Sequence, residues 1–136
     1  VSLKFLIAAT ALAACALLAP GAACFGQVPP ASDGAQALRG KRLFLRCASC
    51  HDISGSGVAR IGPSLKGVVG RKAGSLPGYG YSPAMKSANF VWDETSLNAW
   101  LTDPAALVPG TSMAFAGLPQ PEDRAAIIAY LRQPEH

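Results

Sequence analysis

Cys47, Ala48, Ser49, Cys50 and His51 set two thiols three residues apart with an imidazole directly after the second. This is the pattern that attaches a c-type haem: each thiol adds across a vinyl group as a thioether, and the adjacent histidine falls beneath the iron as proximal ligand. Two other uses of Cys-x-x-Cys compete, a zinc half-site and a redox dithiol. Zinc needs a second pair of ligands, yet no cysteine follows Cys50 and His136 is the only later histidine. A redox dithiol of the thioredoxin kind belongs in a βαβ unit, whereas the flanks here read as helix before and glycine-rich loop after. One haem, held covalently by Cys47 and Cys50 with His51 on its iron, is the expectation.

An axial histidine needs its ring held in one orientation, which calls for an acceptor at its other nitrogen. Pro63 has a carbonyl and no N–H of its own, so it is the candidate acceptor, although a Gly62-Pro63 pair alone also reads as a turn. The sixth iron position is filled by Met or His or left open, and that choice separates an electron carrier from a haem enzyme. The candidates are Met85, Met113 and His136. A lone Met is more often core filler than ligand. Met113, however, sits in a loop bounded by Pro109 and Gly117 instead of on an apolar helical stripe, while Met85 in a short polar helix reads as packing. A thioether raises the potential and closes the iron to oxygen and peroxide, which suits single-electron transfer. An exchangeable sixth site would make a small peroxidase or a gas-binding haem protein.

These residues need a scaffold. Ser32 or Asp33 caps a helix running to about residue 46, with Asp33 and Gln36 at capping-box spacing; that helix delivers Cys47. From residue 52 to 81 the chain carries eight glycines with Pro63 and Pro77, a composition of looping backbone that needs something to hold it. Residues 82–88 read as a short helix, and Asp93 or Thr95 caps another in which Leu97, Trp100 and Leu101 share a face before Asp103-Pro104 limits it. Residues 105–108 make at most one further turn. The last helix has Pro121 at its first position, Glu122 and Asp123 in its first turn, and Ile127, Tyr130 and Leu131 on one stripe. No stretch alternates as a strand does, so the predicted class is all-α.

The N-terminus carries an address. Lys4, an Ala- and Leu-rich run over residues 5–18, and the small residues Gly21 to Ala23 read as a secretory signal over residues 1–26, cleaved after Ala23 or Gly26. The run is short for a bilayer span, so cleavage and a periplasmic destination are expected over a permanent anchor. Lipidation at Cys15 or Cys24, or an uncleaved signal, would instead tether the protein to the membrane. Residues 27–34 form a linker and residues 35–136 a single domain, expected as a monomer. Eight basic residues against Asp52 lie between Arg39 and Lys72, while from Lys86 onward three basic residues face six acidic ones. Such a dipole can orient a protein toward an acidic partner, and charge alone reads equally as a solvated basic face with no partner. Nothing in the chain has the aromatic-interleaved basic stripe of a nucleic-acid binder.

The span from Arg39 to Leu131 resembles the class I c-type cytochromes, especially mitochondrial cytochrome c and its small bacterial periplasmic relatives. Gly40-x-x-x-Phe44, Cys47-x-x-Cys50-His51, Gly62-Pro63-x-Leu65, Gly70-Arg71, Pro77-Gly78-Tyr79-x-Tyr81, Trp92, Pro109-Gly110-Thr111-x-Met113-x-Phe115-x-Gly117 and Ala129-Tyr130-Leu131 recur in family order. The resemblance implies three to five helices and long loops wrapped around one covalent haem. It implies His51 and Met113 as iron ligands, Pro63 as the carbonyl partner of His51, Arg71, Tyr81, Trp92 and Thr111 around the haem propionates, and Phe115 over the haem edge. Gly40, Phe44 and Tyr130 would join the first helix to the last. It further implies a single-electron carrier without substrate chemistry, serving respiratory or photosynthetic redox proteins such as membrane cytochrome complexes, a terminal oxidase, a dehydrogenase or a reductase. Three positions depart from the family: Met85 stands for an Asn of an internal water network, Trp100 for a Tyr near the Met sulfur, and Ser112 for a Lys. With Ala105 and Ala106 also where lysines are common, the basic ring around the haem edge is thin.

Overall fold

A computed structural model of the chain describes residues 33–58 and 60–134. The signal over residues 1–26, most of the linker, the cap candidate Ser32, Cys15, Cys24 and His136 lie outside the described residues. Five helices are present among them: α1 (Asp33–Ala48), α2 (Pro83–Ser87), α3 (Glu94–Thr102), α4 (Pro104–Leu107) and α5 (Pro121–Arg132). The class is all-α, as the periodicity predicts, and no helix of the described residues is long and apolar enough to cross a membrane.

α1 and α5 form the main helix pair. Ala37, Gly40 and Phe44 are buried on one face of α1 at helical spacing and meet α5. Gly40 lets the two backbones approach: a Cβ there would overlap the Ala126 carbonyl and the Tyr130 Cβ. One turn on, the Phe44 and Tyr130 rings pack with centroids 5.3 Å apart. This is the contact expected of Gly40, Phe44 and Tyr130. An Arg39–Asp123 ion pair closes its outer edge, although an exposed pair contributes only about 0–1 kcal/mol.

The shorter helices start where local chemistry allows. Ser82 Oγ accepts the Met85 N–H at 3.2 Å to open α2. Asp93 caps α3 by accepting from the Ser96 N–H at 2.8 Å, while Ser96 Oγ accepts the Asp93 N–H at 2.9 Å, a reciprocal box that spends two otherwise orphaned donors. Asp103 opens α4 by accepting from the Ala105 and Ala106 N–H groups. α3 buries Leu97, Trp100 and Leu101, the face its spacing predicts. The single β pairing among the described residues is a bridge between Lys72 and Val91. Beside it Gly70 N–H donates to the Trp92 carbonyl and Trp92 N–H to the Arg71 carbonyl, which ties Arg71 to Trp92. The long loops are thus pinned to the helical frame at chosen points, with the core between them.

Candidate functional site

α1 continues two residues beyond its expected end, so Cys47 lies in its last turn. The chain then folds over that end: the Cys50 and His51 N–H groups both donate to the Cys47 carbonyl, at 3.0 and 2.8 Å. Two thiols and an imidazole follow one another onto the wall of a cavity of about 410 Å³. Cys47 and Cys50 are not joined in a disulfide. Burial pushes the Cys47 thiol up, against a smaller opposing effect of the Arg46 charge. That direction is opposite to the depression that activates a redox dithiol. Among the described residues no group of three or more His, Cys, Asp and Glu is placed to hold a metal ion, so the zinc half-site has no second half there.

His51 Nδ1 lies 2.8 Å from the Pro63 carbonyl, the acceptor anticipated from its type. A carbonyl only accepts, so the proton sits on Nδ1 and the Nε2 lone pair is left for a metal. Burial lowers the pKa of His51, the Pro63 bond partly opposing it, and the neutral ring that a metal needs is favoured. Gly62 lies flat against this ring: a Cβ there would overlap the imidazole, standing 2.6 Å from Nδ1. Its N–H donates to the Cys50 carbonyl at 2.7 Å. Only glycine fits between the histidine and its acceptor.

The other expected residues, Arg71, Tyr81, Trp92, Thr111, Met113 and Phe115, all line the same cavity. Arg71 spends part of its guanidinium on the loop, Nη2 donating to the Ser64 carbonyl at 2.8 Å and Nη1 to the Lys66 carbonyl at 3.2 Å. Thr111 Oγ1 accepts the Met113 N–H at 3.3 Å and so shapes the loop at the methionine itself. Trp92 is buried and meets Phe90 and Trp100 edge to face, with centroids 4.8 and 5.2 Å apart. Leu65, Val68, Leu97, Leu101 and Ile127 supply apolar wall. Met85 belongs to the buried core, as its position in α2 suggests, and with Trp100 it also reaches the cavity lining.

Three contacts were not anticipated. Tyr79 OH donates to the Ile61 carbonyl at 2.7 Å, although the residue figured in the sequence only as part of a motif. Arg60 Nη1 donates to the Ala48 carbonyl at 3.2 Å, satisfying an orphan acceptor at the end of α1. Arg124 is buried and donates to Asn98 Oδ1 and to the Leu118 and Pro119 carbonyls. Its place one residue after Glu122-Asp123 hides it among solvated charges. Its i, i+4 relation to the buried Ile128 was the available signal.

The donor set fits a haem. Two adjacent thiols, an oriented neutral imidazole and a thioether share an apolar slot, with Arg71, Tyr81, Trp92 and Thr111 as polar groups in its lining. The family profile described as Cytochrome c matches residues 37–134. A cytochrome c2 from Rhodomicrobium vannielii is 46% identical over 94 residues, covering 69% of this chain and 75% of its own length. A cytochrome c from Euglena viridis is 52% identical over 95 residues, covering 69% and 92%. Among solved structures, cytochrome cH from Methylobacterium extorquens superposes with a TM-score of 0.65 at 44% identity, covering 71% of this chain and 96% of that one.

Proposed function

The chain belongs to the class I cytochrome c family, electron-transfer proteins that carry covalent haem c and work with redox-protein partners, and from that premise we propose that it is a monohaem, low-spin, periplasmic carrier with His51 and Met113 as its iron ligands. The observation that carries this reading is the shared cavity: His51, held by Pro63, and Met113 line one slot together with both thiols. When bound, the haem supplies a one-electron iron couple.

The protein's own residues do the rest. Cys47 and Cys50 would hold the haem as two thioethers, each S–H adding across one vinyl group with nothing released. His51 presents Nε2 because Nδ1 is committed to Pro63. Met113 would supply a thioether that keeps small ligands off the iron and favours its reduced state. Arg71, Tyr81, Trp92 and Thr111, which line the cavity, would offer charge and donors to the propionates, which need both to stay ionised away from water. The apolar wall excludes water and limits the reorganisation that accompanies a change of charge. The expected secretory segment supports a periplasmic location, with respiratory or photosynthetic complexes as donors and acceptors.

Met113→Ala in the holoprotein tests the ligand set. The sulfur-to-iron charge-transfer absorption disappears and the potential falls sharply if Met113 is the ligand. An unchanged spectrum, or a high-spin wild type with rapid peroxide turnover, refutes the carrier reading. Cell fractionation with mass spectrometry of the mature N-terminus separates a cleaved periplasmic protein from a lipidated one.

A further inference from the structure

We propose that Tyr79 is a positioning residue for the axial histidine, acting through a three-residue strap, Ile61-Gly62-Pro63, that its hydroxyl holds in place; this rests on the reading of His51 as an iron ligand. Each residue of the strap makes one bond toward the site. The Ile61 carbonyl accepts from Tyr79 OH at 2.7 Å, the Gly62 N–H donates to the Cys50 carbonyl at 2.7 Å, and the Pro63 carbonyl accepts from His51 at 2.8 Å. The strap lies against the imidazole so closely that Gly62 has no room for a Cβ. Movement of the strap is therefore movement of the ring or of its acceptor.

Tyr79 is what fixes the near end. Ile61 belongs to the cavity lining, and its carbonyl is fixed by the bond from Tyr79 OH. Among the described residues, Tyr79 OH to Ile61 is the only hydrogen bond joining residues 72–92 to residues 49–67. The Ile61 carbonyl and the Gly62 N–H belong to one peptide group. A donor on its oxygen strengthens its N–H toward Cys50, so Tyr79 reaches the thioether arm as well as the histidine. The Tyr79 ring packs edge to face on Tyr81, centroids 4.7 Å apart, which keeps the hydroxyl aimed.

A firm Nδ1–H to carbonyl bond makes the imidazole electron-rich and favours the oxidised metal. Loosening it favours the reduced one. Tyr79→Phe keeps the ring contact and removes only the hydroxyl. In the holoprotein, the redox equilibrium should shift toward the reduced form by about threefold, or ~28 mV for one electron. Exchange of the His51 Nδ1–H with solvent, followed by NMR in the reduced protein, should quicken severalfold. If the variant melts lower but keeps the wild-type potential and exchange rate, Tyr79 is a loop staple and the inference is overturned. If the wild type itself shows no low-spin histidine-ligated haem, the ligand assignment falls and the inference falls with it.

Discussion

At the scale of single residues, the site depends on small groups where large ones would not fit and on charges held by short bonds. Gly62→Ala pushes a methyl into the His51 ring and should destabilise the holoprotein by about 2 kcal/mol, with loss of the low-spin spectrum in the fraction that retains haem. Denaturant melts followed at the haem absorption measure both effects. Asp93 gives a prediction with a defined sign in pH. Its carboxyl is held below the ordinary range chiefly by the Ser96 N–H, so it favours the fold at pH above the unfolded value of about 3.9 and loses that contribution as pH falls through its lower folded value. Asp93→Ala should melt below wild type at neutral pH, with the gap closing as the pH falls below about 4. A gap that persists into strong acid would mean that the capping charge is not what stabilises α3. The candidate site residues are legible because their types are rare and their spacing is particular: two cysteines three residues apart, a histidine directly after the second, a methionine in a loop. Tyr79 and Arg124 escaped because tyrosine and arginine are common surface residues, and only tertiary structure supplies their acceptors.

At the scale of elements, α1 and α5 carry the frame. Gly40→Ala sets a methyl against the Ala126 backbone carbonyl, which cannot rotate away, and should cost about 2–3 kcal/mol, read as a lower denaturant midpoint with an unchanged slope. The starts of α2, α3 and α5 are legible because each is a local event: Ser82 and Asp93 accept from N–H groups three residues on, and Pro121 needs no donor, whereas Asp103, read only as the limit of α3, also caps α4. The paths of the loops could not. The bonds that shape them join residues 12 apart at His51 and Pro63 and 18 apart at Tyr79 and Ile61, and no periodicity marks such pairs. The end of α1 was set two residues short for the same reason: the carbonyls of its last turn are taken by Cys50, His51 and Arg60, which come from the chain that folds back over it.

At the scale of the molecule, most of the basic residues lie in the stretch from Arg39 to Lys72, although Arg39 is paired with Asp123 where α1 packs on α5. Arg46 lies on the cavity lining and is exposed, whereas Ser112 and Ala114, which share that lining, bring no charge. Steering should therefore rest on few cations. Arg46→Glu should slow electron transfer to an acidic redox partner about tenfold at low ionic strength, with the difference vanishing as salt is raised, measured as stopped-flow second-order rates. Equal rates at low salt would place the encounter surface elsewhere. The buried Arg124 bears on a different kind of endurance. α5 is tied to the rest of the molecule on its outer side by the surface ion pairs Arg39–Asp123 and Arg132–Glu94, which salt screens. On its inner side Arg124 holds α3 and the end of the Met113 loop through an amide and two peptide carbonyls, none of which titrates. Rising salt thus loosens this helix from the outside first, while the buried seam beside the methionine loop keeps its grip.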